Sequence, residues 1–414
     1  MNFEYKDYEL SNAITDIAAG PFGSNLKVSC FTTTGFPIID GANLKEITVT
    51  DNITKFVPED KARSLHRSIA KRRDVVVTIS GNVGQVSYIP DNSQYAEYLC
   101  SQRQFRVTFD ESKIYVPYLV YYLHSVEGQS KILAFANQTG VPALSQPLKN
   151  FRKIKIDLPS LAEQKKIATI LSALDEKIAI NRAINENLEE QISEIYRVWY
   201  QKYVCAVGLP LVESEYGLIP QGWHYSLVGE LCKSISISHK FDAEKLIFLN
   251  TGDIEDGRFL HANYMAVSDM PGQAKKTILP GDILYSEIRP INKHYAYVTF
   301  PSEDYVVSTK LMVIRASGID SRRLYHYLTT EDVITKLQME AESRSGTFPQ
   351  IRFDNISKLP ILIADDVTEA AFTTLLHTVY DQIEYNNSEN EKLASLRDSL
   401  LPRLISGEID VSAV

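Results

Sequence analysis

Side chains that can hydrogen-bond to nucleic acid are concentrated in and beside the turns of two stretches of this 414-residue chain. Arginine matches the edge of guanine in the major groove, asparagine and glutamine match adenine, and lysine mostly meets phosphate. For any one of these side chains, an ordinary solvated surface position is the alternative. The candidates are Ser24, Asn25, Lys27, Arg67, Lys71, Arg72, Asn82, Gln85 and Arg103 in the first stretch, and Lys275, Lys276, Arg289, Asn292, Lys293, His294, Arg344 and Arg352 in the second.

Two of these positions stand out because they follow segments that recur in the chain. RRDVVVTIS at residues 72–80 resembles LPGDILYSEI at residues 279–288. Asn82 follows the first segment and Arg289 follows the second, so both occupy the loop after an equivalent predicted strand. The two loops differ in sequence, which fits two domains that read different base sequences through one position of a shared scaffold.

The elements that must position these loops include two long helical patterns, at residues 163–200 and 368–405. They align at one constant offset, since Ile178 pairs with Ile383 (383 − 178 = 205). Ser160 and Glu163 are predicted to form a capping box at the start of the first helix. The second helix is predicted to start at Asp366, as an acidic version of the same cap.

Both helices carry apolar residues at alternating spacings of four and three, which is typical of a coiled-coil seam. The predicted seam residues are Ile167, Leu171, Leu174, Ile178, Asn181, Asn185 and Leu188 in the first helix, and Phe372, Leu376, Val379, Ile383, Asn386, Asn390 and Leu393 in the second. Arg397 interrupts the second series.

The asparagines at the middle of each seam predict how the helices pair. Buried asparagine fixes register because it is satisfied only opposite a polar partner, so we expect each asparagine pair to face the other. The alternative is that each helix packs separately on its own domain. Antiparallel packing is expected, because it places both attachments of the second domain at the same end of the helix pair.

The chain therefore predicts an α+β fold with two α/β globular domains, related by a pseudo-two-fold axis and joined by two long antiparallel coiled-coil helices. The predicted bounds are 1–158 and 204–363 for the domains, 159–203 for the central helix, and 364–414 for the last helix and tail. Within the domains, strands are expected at residues 74–80, 104–108, 282–286 and 305–314, with helices at 116–124 and 322–328.

Net charge, cysteine spacing and the lengths of apolar runs limit the classes of function that this sequence can have. The net charge of −9 argues against nucleic-acid binding at first sight, but residues 365–414 alone carry 3 Lys+Arg against 10 Asp+Glu, so the domains are nearly neutral. The four cysteines lack metal-ligand spacing, so no metal site is expected. The sequence contains no run of about 18 apolar residues and no signal-like start, which predicts a cytoplasmic protein without membrane contact.

The chain resembles the specificity subunit of type I restriction–modification enzymes. The resemblance lies in LPSLAEQKKIATILSALDEKIAINRAINENLEEQ at residues 158–191, SLRDSLLPRLISGEIDV at 395–411 and GPFGSNL at 20–26. It implies that the globular parts are target recognition domains for double-stranded DNA and that the helices are spacers. It further implies partnership with two methyltransferase subunits, which modify adenine, and with motor-nuclease subunits. The opening of the last helix, at residues 364–382, is less typical of the family than that of the central helix.

No catalytic motif is evident in the sequence: it lacks a phosphate-binding GxxxxGK[ST] loop, an HExxH pair and an adenine-methylation loop. The chain is therefore interpreted as a non-catalytic subunit without a cofactor of its own. S-adenosylmethionine, ATP and Mg²⁺ are expected on the partner subunits. Two alternatives remain open: an autonomous DNA-binding protein, and a coiled-coil interaction scaffold without methyltransferase partners.

Overall fold

The structure, a computed structural model, describes residues 6–137, 142–344 and 349–411. The chain forms two compact units. The first runs to Asn181 and resumes at Ser388, and the second is Arg182–Asn387. Each unit therefore contains one globular domain and one half of each long helix.

The strands of the first unit are β1 (Lys6–Glu9), β2 (Ile14–Ala19), β3 (Phe36–Ile39), β4 (Phe56–Val57), β5 (Ile69–Lys71), β6 (Val75–Thr78), β7 (Val86–Tyr88), β8 (Glu97–Cys100), β9 (Gln104–Phe109), β10 (Ala136–Asn137), β11 (Ala143–Leu144) and β12 (Lys155–Leu158). Its helices are α1 (Glu59–Ser64), α2 (Val116–His124), α3 (Val126–Leu133), α4 (Pro147–Arg152) and the first half of α5 (Leu161–Tyr200).

The second unit continues with β13 (Leu211–Ser214), β14 (Gly217–Pro220), β15 (His224–Leu227), β16 (Cys232–Ile235), β17 (Lys245–Leu249), β18 (Ile254–Glu255), β19 (Arg258–Phe259), β20 (Tyr264–Ala266), β21 (Ala274–Lys276), β22 (Ile283–Ser286), β23 (Tyr295–Tyr297), β24 (Tyr305–Ser308), β25 (Leu311–Ala316) and β26 (Pro360–Ile363). Its helices are α6 (Val228–Leu231), α7 (Ser321–Leu328), α8 (Glu331–Arg344), α9 (Phe353–Ser357) and the first half of α10 (Asp366–Ile405).

The two domains share one sheet topology. In the first, one sheet has the order β2-β9-β6-β7 and another the order β4-β3-β8-β5. The second domain repeats them as β16-β25-β22-β23 and β20-β17-β24-β21. The parallel pair β3/β8 recurs as β17/β24, while the other ladders of these sheets are antiparallel. The α+β class and the internal repeat predicted from the sequence are thus confirmed.

The central strands explain why the recurring segments fold alike. All four residues of β6 and all four of β22 are buried, as expected for an apolar run covered on both faces.

One predicted strand is wrong in extent. Residues 305–314 form two strands, β24 and β25, which belong to different sheets. A turn at Thr309 and Lys310 separates them, where the Lys310 N–H donates to Ser308 Oγ at 3.2 Å.

The long helices begin at side-chain caps. Ser160 and Glu163 form the predicted capping box, in which the Ser160 N–H donates to Glu163 Oε2 at 2.8 Å. For α10 the capping side chain is Asp365, one residue before the predicted start, and it accepts from the N–H groups of Val367 and Thr368. Gly407 follows α10 with φ 73°, a left-handed conformation that suits glycine after a helix.

In the first unit, α5 and α10 run antiparallel. Asp175 of α5 bonds Arg397 of α10 at 2.6 Å, and Asn181, further along α5, donates to Asn390 Oδ1 at 2.9 Å. Arg397, the interruption in the predicted seam, is therefore satisfied by a carboxylate. The core of this unit also holds Leu404 and Val411, so the end of the chain packs with the first domain.

In the second unit the helices are antiparallel as well. Asn386 Nδ2 donates to Asn185 Oδ1 at 2.7 Å, and Asn185 Nδ2 donates to Asn387 Oδ1 at 2.9 Å. Nearer the end of α5, Tyr200 packs edge-on against Phe372 near the start of α10, with ring centroids 5.1 Å apart. The predicted asparagine partners and the antiparallel direction are confirmed. Of the predicted seam residues, Leu174, Leu188, Asn390 and Leu393 are half-buried and the others are buried.

Candidate nucleic-acid interface

Four turns of the first domain meet at one rim, here named the first loop cluster: residues 20–25, 41–43, 79–85 and 101–104. The Gly20 N–H donates to the Gln104 carbonyl at 2.7 Å, and the Ile79 N–H donates to the Arg103 carbonyl at 2.7 Å. The Ser101 N–H donates to the Ile39 carbonyl, just before Gly41. These bonds bring together turns that lie up to about 80 positions apart in the sequence.

Most of the polar side chains of the first loop cluster are amides. Gln85 Oε1 accepts from Thr78 Oγ1 at 3.2 Å, and Ser101 Oγ donates to Gln104 Oε1. A Cβ placed at Gly41 would lie 3.2 Å from Gln85 Oε1 and 3.8 Å from Gln104 Nε2. The two glutamine amides therefore flank a glycine that leaves the space between them open.

Exposed polar side chains surround these amides. They are the predicted residues Ser24, Asn25, Asn82 and Arg103, together with Gln102, which the sequence analysis did not single out. Arg67 adjoins them, because its neighbour Ser68 donates to the Ala19 carbonyl at 2.9 Å. Such a rim offers the donors and acceptors that base edges require.

Two predicted residues of the first domain lie elsewhere. Lys71 ends the edge strand β5 and pairs with Glu97 at 3.5 Å. Arg72 donates to the Ser93 carbonyl at 2.9 Å. Both side chains are exposed, but the partner of Lys71 lies on β8 and that of Arg72 lies in the segment between β7 and β8.

The second domain has a corresponding second loop cluster, made of residues 287–294 with the turns that support them. The loop pairs with the strand-like segment that precedes α9, since the Arg289 N–H donates to the Pro349 carbonyl at 3.1 Å. In the first domain, the Gly81 N–H likewise donates to the Pro142 carbonyl at 3.1 Å. The same connection therefore carries Asn82 in one domain and Arg289 in the other.

Backbone geometry fixes the second loop. Arg289 and Lys293 adopt positive φ values of 42° and 55°, which are uncommon for residues other than glycine. The turn between β18 and β19 supports the loop, because the Asp256 N–H donates to the Lys293 carbonyl at 2.7 Å. His294 Nδ1 lies 2.7 Å from the Ile254 carbonyl. Arg289 and Asn292 remain exposed at the tip.

Several predicted basic groups of the second domain have internal partners. The Lys276 ammonium donates to the carbonyls of Thr309 and Leu311 at 3.1 and 2.8 Å, and burial lowers its pKa. The Lys293 ammonium bonds Glu331 at 2.6 Å, a hydrogen bond that raises the pKa of Lys293. The Lys293 side chain thus anchors the loop, whereas the Lys276 side chain is engaged by the turn between β24 and β25.

The remaining predicted residues lie at separate places, and among them only Arg352 is shown next to the loop. Arg352 is exposed, and its neighbour Ile351 donates its N–H to the Glu287 carbonyl at 2.9 Å. Lys275 is exposed on β21, and Lys27 is exposed in the first domain. Arg344 ends α8, but its side chain lies outside the described residues.

Within the described ranges, no three His, Cys, Asp or Glu side chains are grouped so that they could hold a metal ion. Among the helices that the structure describes, none is both long and apolar enough to cross a membrane.

Two stretches that cover most of the chain, residues 31–190 and 220–395, match the family model of the type I restriction modification DNA specificity domain. The chain belongs to this family. The resemblance noted in the sequence is thereby confirmed, and the two matched stretches coincide with the two repeats.

Individual relatives agree with the family assignment. The chain is 41% identical over 181 residues to the type I restriction enzyme HindI specificity subunit of Haemophilus influenzae, which covers 43% of this chain and 39% of that protein. It is 23% identical over 326 residues to the type I restriction enzyme MjaIX specificity subunit of Methanocaldococcus jannaschii, covering 76% of this chain and 73% of that protein. The chain thus spans less than half of the Haemophilus relative.

A solved structure shows the same fold. The S subunit of a type I restriction–modification system from M. genitalium superposes with a TM-score of 0.57 at 14% identity, and the alignment covers 97% of this chain and 96% of that one.

Proposed function

We propose that this chain is the specificity subunit of a type I restriction–modification complex and that each domain reads one half of a bipartite DNA site. The observation that carries the proposal is the contrast between the two loop clusters. The same connection, after β6 in the first domain and after β22 in the second, presents Asn82 in one and Arg289 in the other.

The chemistry of the two clusters supports two different half-sites. The first presents exposed amides and one guanidinium, from Asn82, Gln102 and Arg103, which suits adenine edges with one guanine or phosphate contact. The second presents Arg289 and Asn292 on a fixed loop, with Arg352 nearby. Different donor sets read different bases, so the complete site is expected to be asymmetric.

The net negative charge of this chain supports the proposal that its DNA binding depends on partner subunits. The chain has a net charge of −9, and Lys276 and Lys293 are engaged internally, so few phosphates can be neutralised by this chain alone. We infer that two methyltransferase subunits supply further DNA contacts and modify adenine, and that motor-nuclease subunits complete the complex. Catalysis, S-adenosylmethionine, ATP and Mg²⁺ belong to those partners in this proposal.

The long helices are proposed to set the spacer between the half-sites and to dock the methyltransferase subunits. The buried asparagine contacts fix the register of the helices, as a spacer requires. Each helix also exposes apolar side chains, such as Ile180 on α5 and Tyr385 on α10, at 54% and 64% exposure. Exposed apolar residues on a helix suit a protein partner.

The test is to map methylated adenines in host DNA by long-read sequencing, before and after residues 289–294 are exchanged for those of another family member. We expect a split motif in which one half changes and the other is retained. A matched control exchanges residues 214–217, the exposed β13–β14 turn of the same unit, and should leave both halves unchanged.

Four outcomes would contradict the proposal. A change in both halves, or in neither, would refute two independent readers. Tight site-specific binding by this chain alone would favour an autonomous DNA-binding protein, and the absence of DNA binding with or without a methyltransferase subunit would favour an interaction scaffold.

A further inference from the structure

We propose that Phe22 is a wedge that inserts between base pairs of the half-site read by the first domain; the inference rests on the proposed function. Phe22 lies at the tip of the turn at residues 20–25 with 81% of its surface exposed. A singly exposed apolar residue is unremarkable by itself. The inference comes from how this ring is held and from what surrounds it.

The turn that presents Phe22 is fixed at both ends. Gly20 is so close to the β8–β9 turn that a Cβ on it would lie 1.8 Å from the Ser101 carbonyl oxygen. On the other side, Leu26 is buried in an apolar cluster with Phe36 and Leu99. The Asn25 N–H closes the turn by donating to the Phe22 carbonyl at 2.8 Å. A ring on a rigid turn loses little conformational freedom on binding.

Polar groups suited to DNA surround the ring. Gly23 lies directly against Gln102, since a Cβ there would be 2.6 Å from Gln102 Oε1. Ser24, Asn25 and Gln102 are all exposed beside the tip. An apolar ring centred among hydrogen-bonding side chains is the arrangement by which proteins unstack a base step while holding its backbone.

In the corresponding connection of the second domain, residues 236–244 between β16 and β17, no aromatic ring is exposed, although the aliphatic side chain of Ile237 is 56% exposed. Phe241 is half-buried there and packs edge-on against His239, with ring centroids 5.0 Å apart. Phe241 also contacts an apolar cluster that contains Leu246. We therefore expect the duplex to be unstacked in the first domain's half-site and to remain stacked in the second.

The experiment uses the full chain with its methyltransferase subunits and a duplex that carries the mapped site. 2-Aminopurine, whose fluorescence rises when it is unstacked, replaces one adenine at a time in each half-site. The methylated adenines are left unreplaced, because methyltransferases extrude their target base from the duplex. We expect enhancement at one step of the first domain's half-site only. Phe22→Ala should abolish that enhancement and weaken binding by about 5- to 100-fold, the range that loss of one aromatic–base stack produces.

Two further variants separate a wedge from a structural effect. Phe22→Trp should retain the enhancement, and its indole fluorescence should be quenched when DNA binds. Val126→Ala removes a 90% exposed apolar side chain of α3 in the same unit and should leave affinity and enhancement unchanged.

The following results would refute the proposal that Phe22 acts as a wedge. Enhancement retained in Phe22→Ala, enhancement only in the second half-site, or an unquenched tryptophan at position 22 would each refute it, while methylation mapping could still show a bipartite motif. If mapping shows no split motif, the proposed function and the wedge fail together.

Discussion

Asn185 is the buried side chain whose removal best tests why asparagines occur in the helix seam. It is 8% exposed in the second unit, and its Oδ1 accepts the Nδ2 hydrogen of Asn386, which is 3% exposed, at 2.7 Å. Asn185→Ala would leave that donor buried without its acceptor, at a cost of about 1–3 kcal/mol. Alanine recovers about 0.5 kcal/mol through its higher helix propensity. We therefore expect a net loss of about 0.5–2.5 kcal/mol.

The loss can be measured in the second unit alone. Both tryptophans of the chain, Trp199 and Trp223, belong to that unit. Urea unfolding followed by tryptophan fluorescence therefore reports on the unit that contains Asn185. With a slope of about 2 kcal/mol per molar urea, the expected loss lowers the midpoint by about 0.25–1.25 M.

A matched control and a double variant complete the test. Asn181→Ala removes a seam asparagine whose partner, Asn390, also lies in the first unit, and it should shift the tryptophan transition less. The double change of Asn185 and Asn386 to leucine removes donor and acceptor together, so its cost should fall below the sum of the single changes by about 1–3 kcal/mol. The reasoning would be refuted if the unfolding costs of the two leucine changes were additive. It would also be refuted if Asn181→Ala and Asn185→Ala shifted the urea midpoint equally.

Two further predictions concern pH and the spacer. His326 is buried beside Arg323. Burial, and to a smaller extent the positive charge of Arg323, lowers the pKa of His326 to about 3. His326 therefore stays neutral in the folded protein, whereas the same side chain in the unfolded chain takes up a proton below pH ~6.5. The tryptophan-monitored free energy of unfolding should thus fall by about 2 kcal/mol between pH 7 and 5, and His326→Phe should remove that part of the slope; an unchanged slope would contradict it. Adding 21 residues to each long helix, beside Asn185 and Asn386, should lengthen the DNA spacer by about nine base pairs, close to one helical turn. A methylated motif that keeps its original spacer would show that the helices do not set it.

Features with a short sequence signature were predictable. The capping box of Ser160 and Glu163, the limits of α2 at Val116–His124 and the facing asparagines of the seam were all read from spacing alone, and the structure confirms them. Each depends on residues a few positions apart, or on a pattern repeated along one element. The helix period and the capping geometry determine such features wherever the segment lies in the fold.

The candidate interface was only partly predictable. The sequence indicates which residues can hydrogen-bond to DNA, but the use of each side chain depends on distant partners. Lys276 was a plausible phosphate contact, and its ammonium binds the carbonyls of Thr309 and Leu311 instead. Phe22 lies in the GPFGSNL segment at residues 20–26, and only the structure shows that its ring is exposed and that the next residue, Gly23, lies against Gln102.

The sequence by itself determined the repeat, the long helices with their seam, and the chemical types of the loop residues, because these follow from composition, period and local capping. The tertiary structure decided that residues 305–316 split between two sheets, that Arg397 is satisfied by Asp175, and which loop side chains stay free. These outcomes depend on groups tens to hundreds of positions apart. Only the folded backbone brings such groups within hydrogen-bonding distance, and no local pattern encodes that proximity.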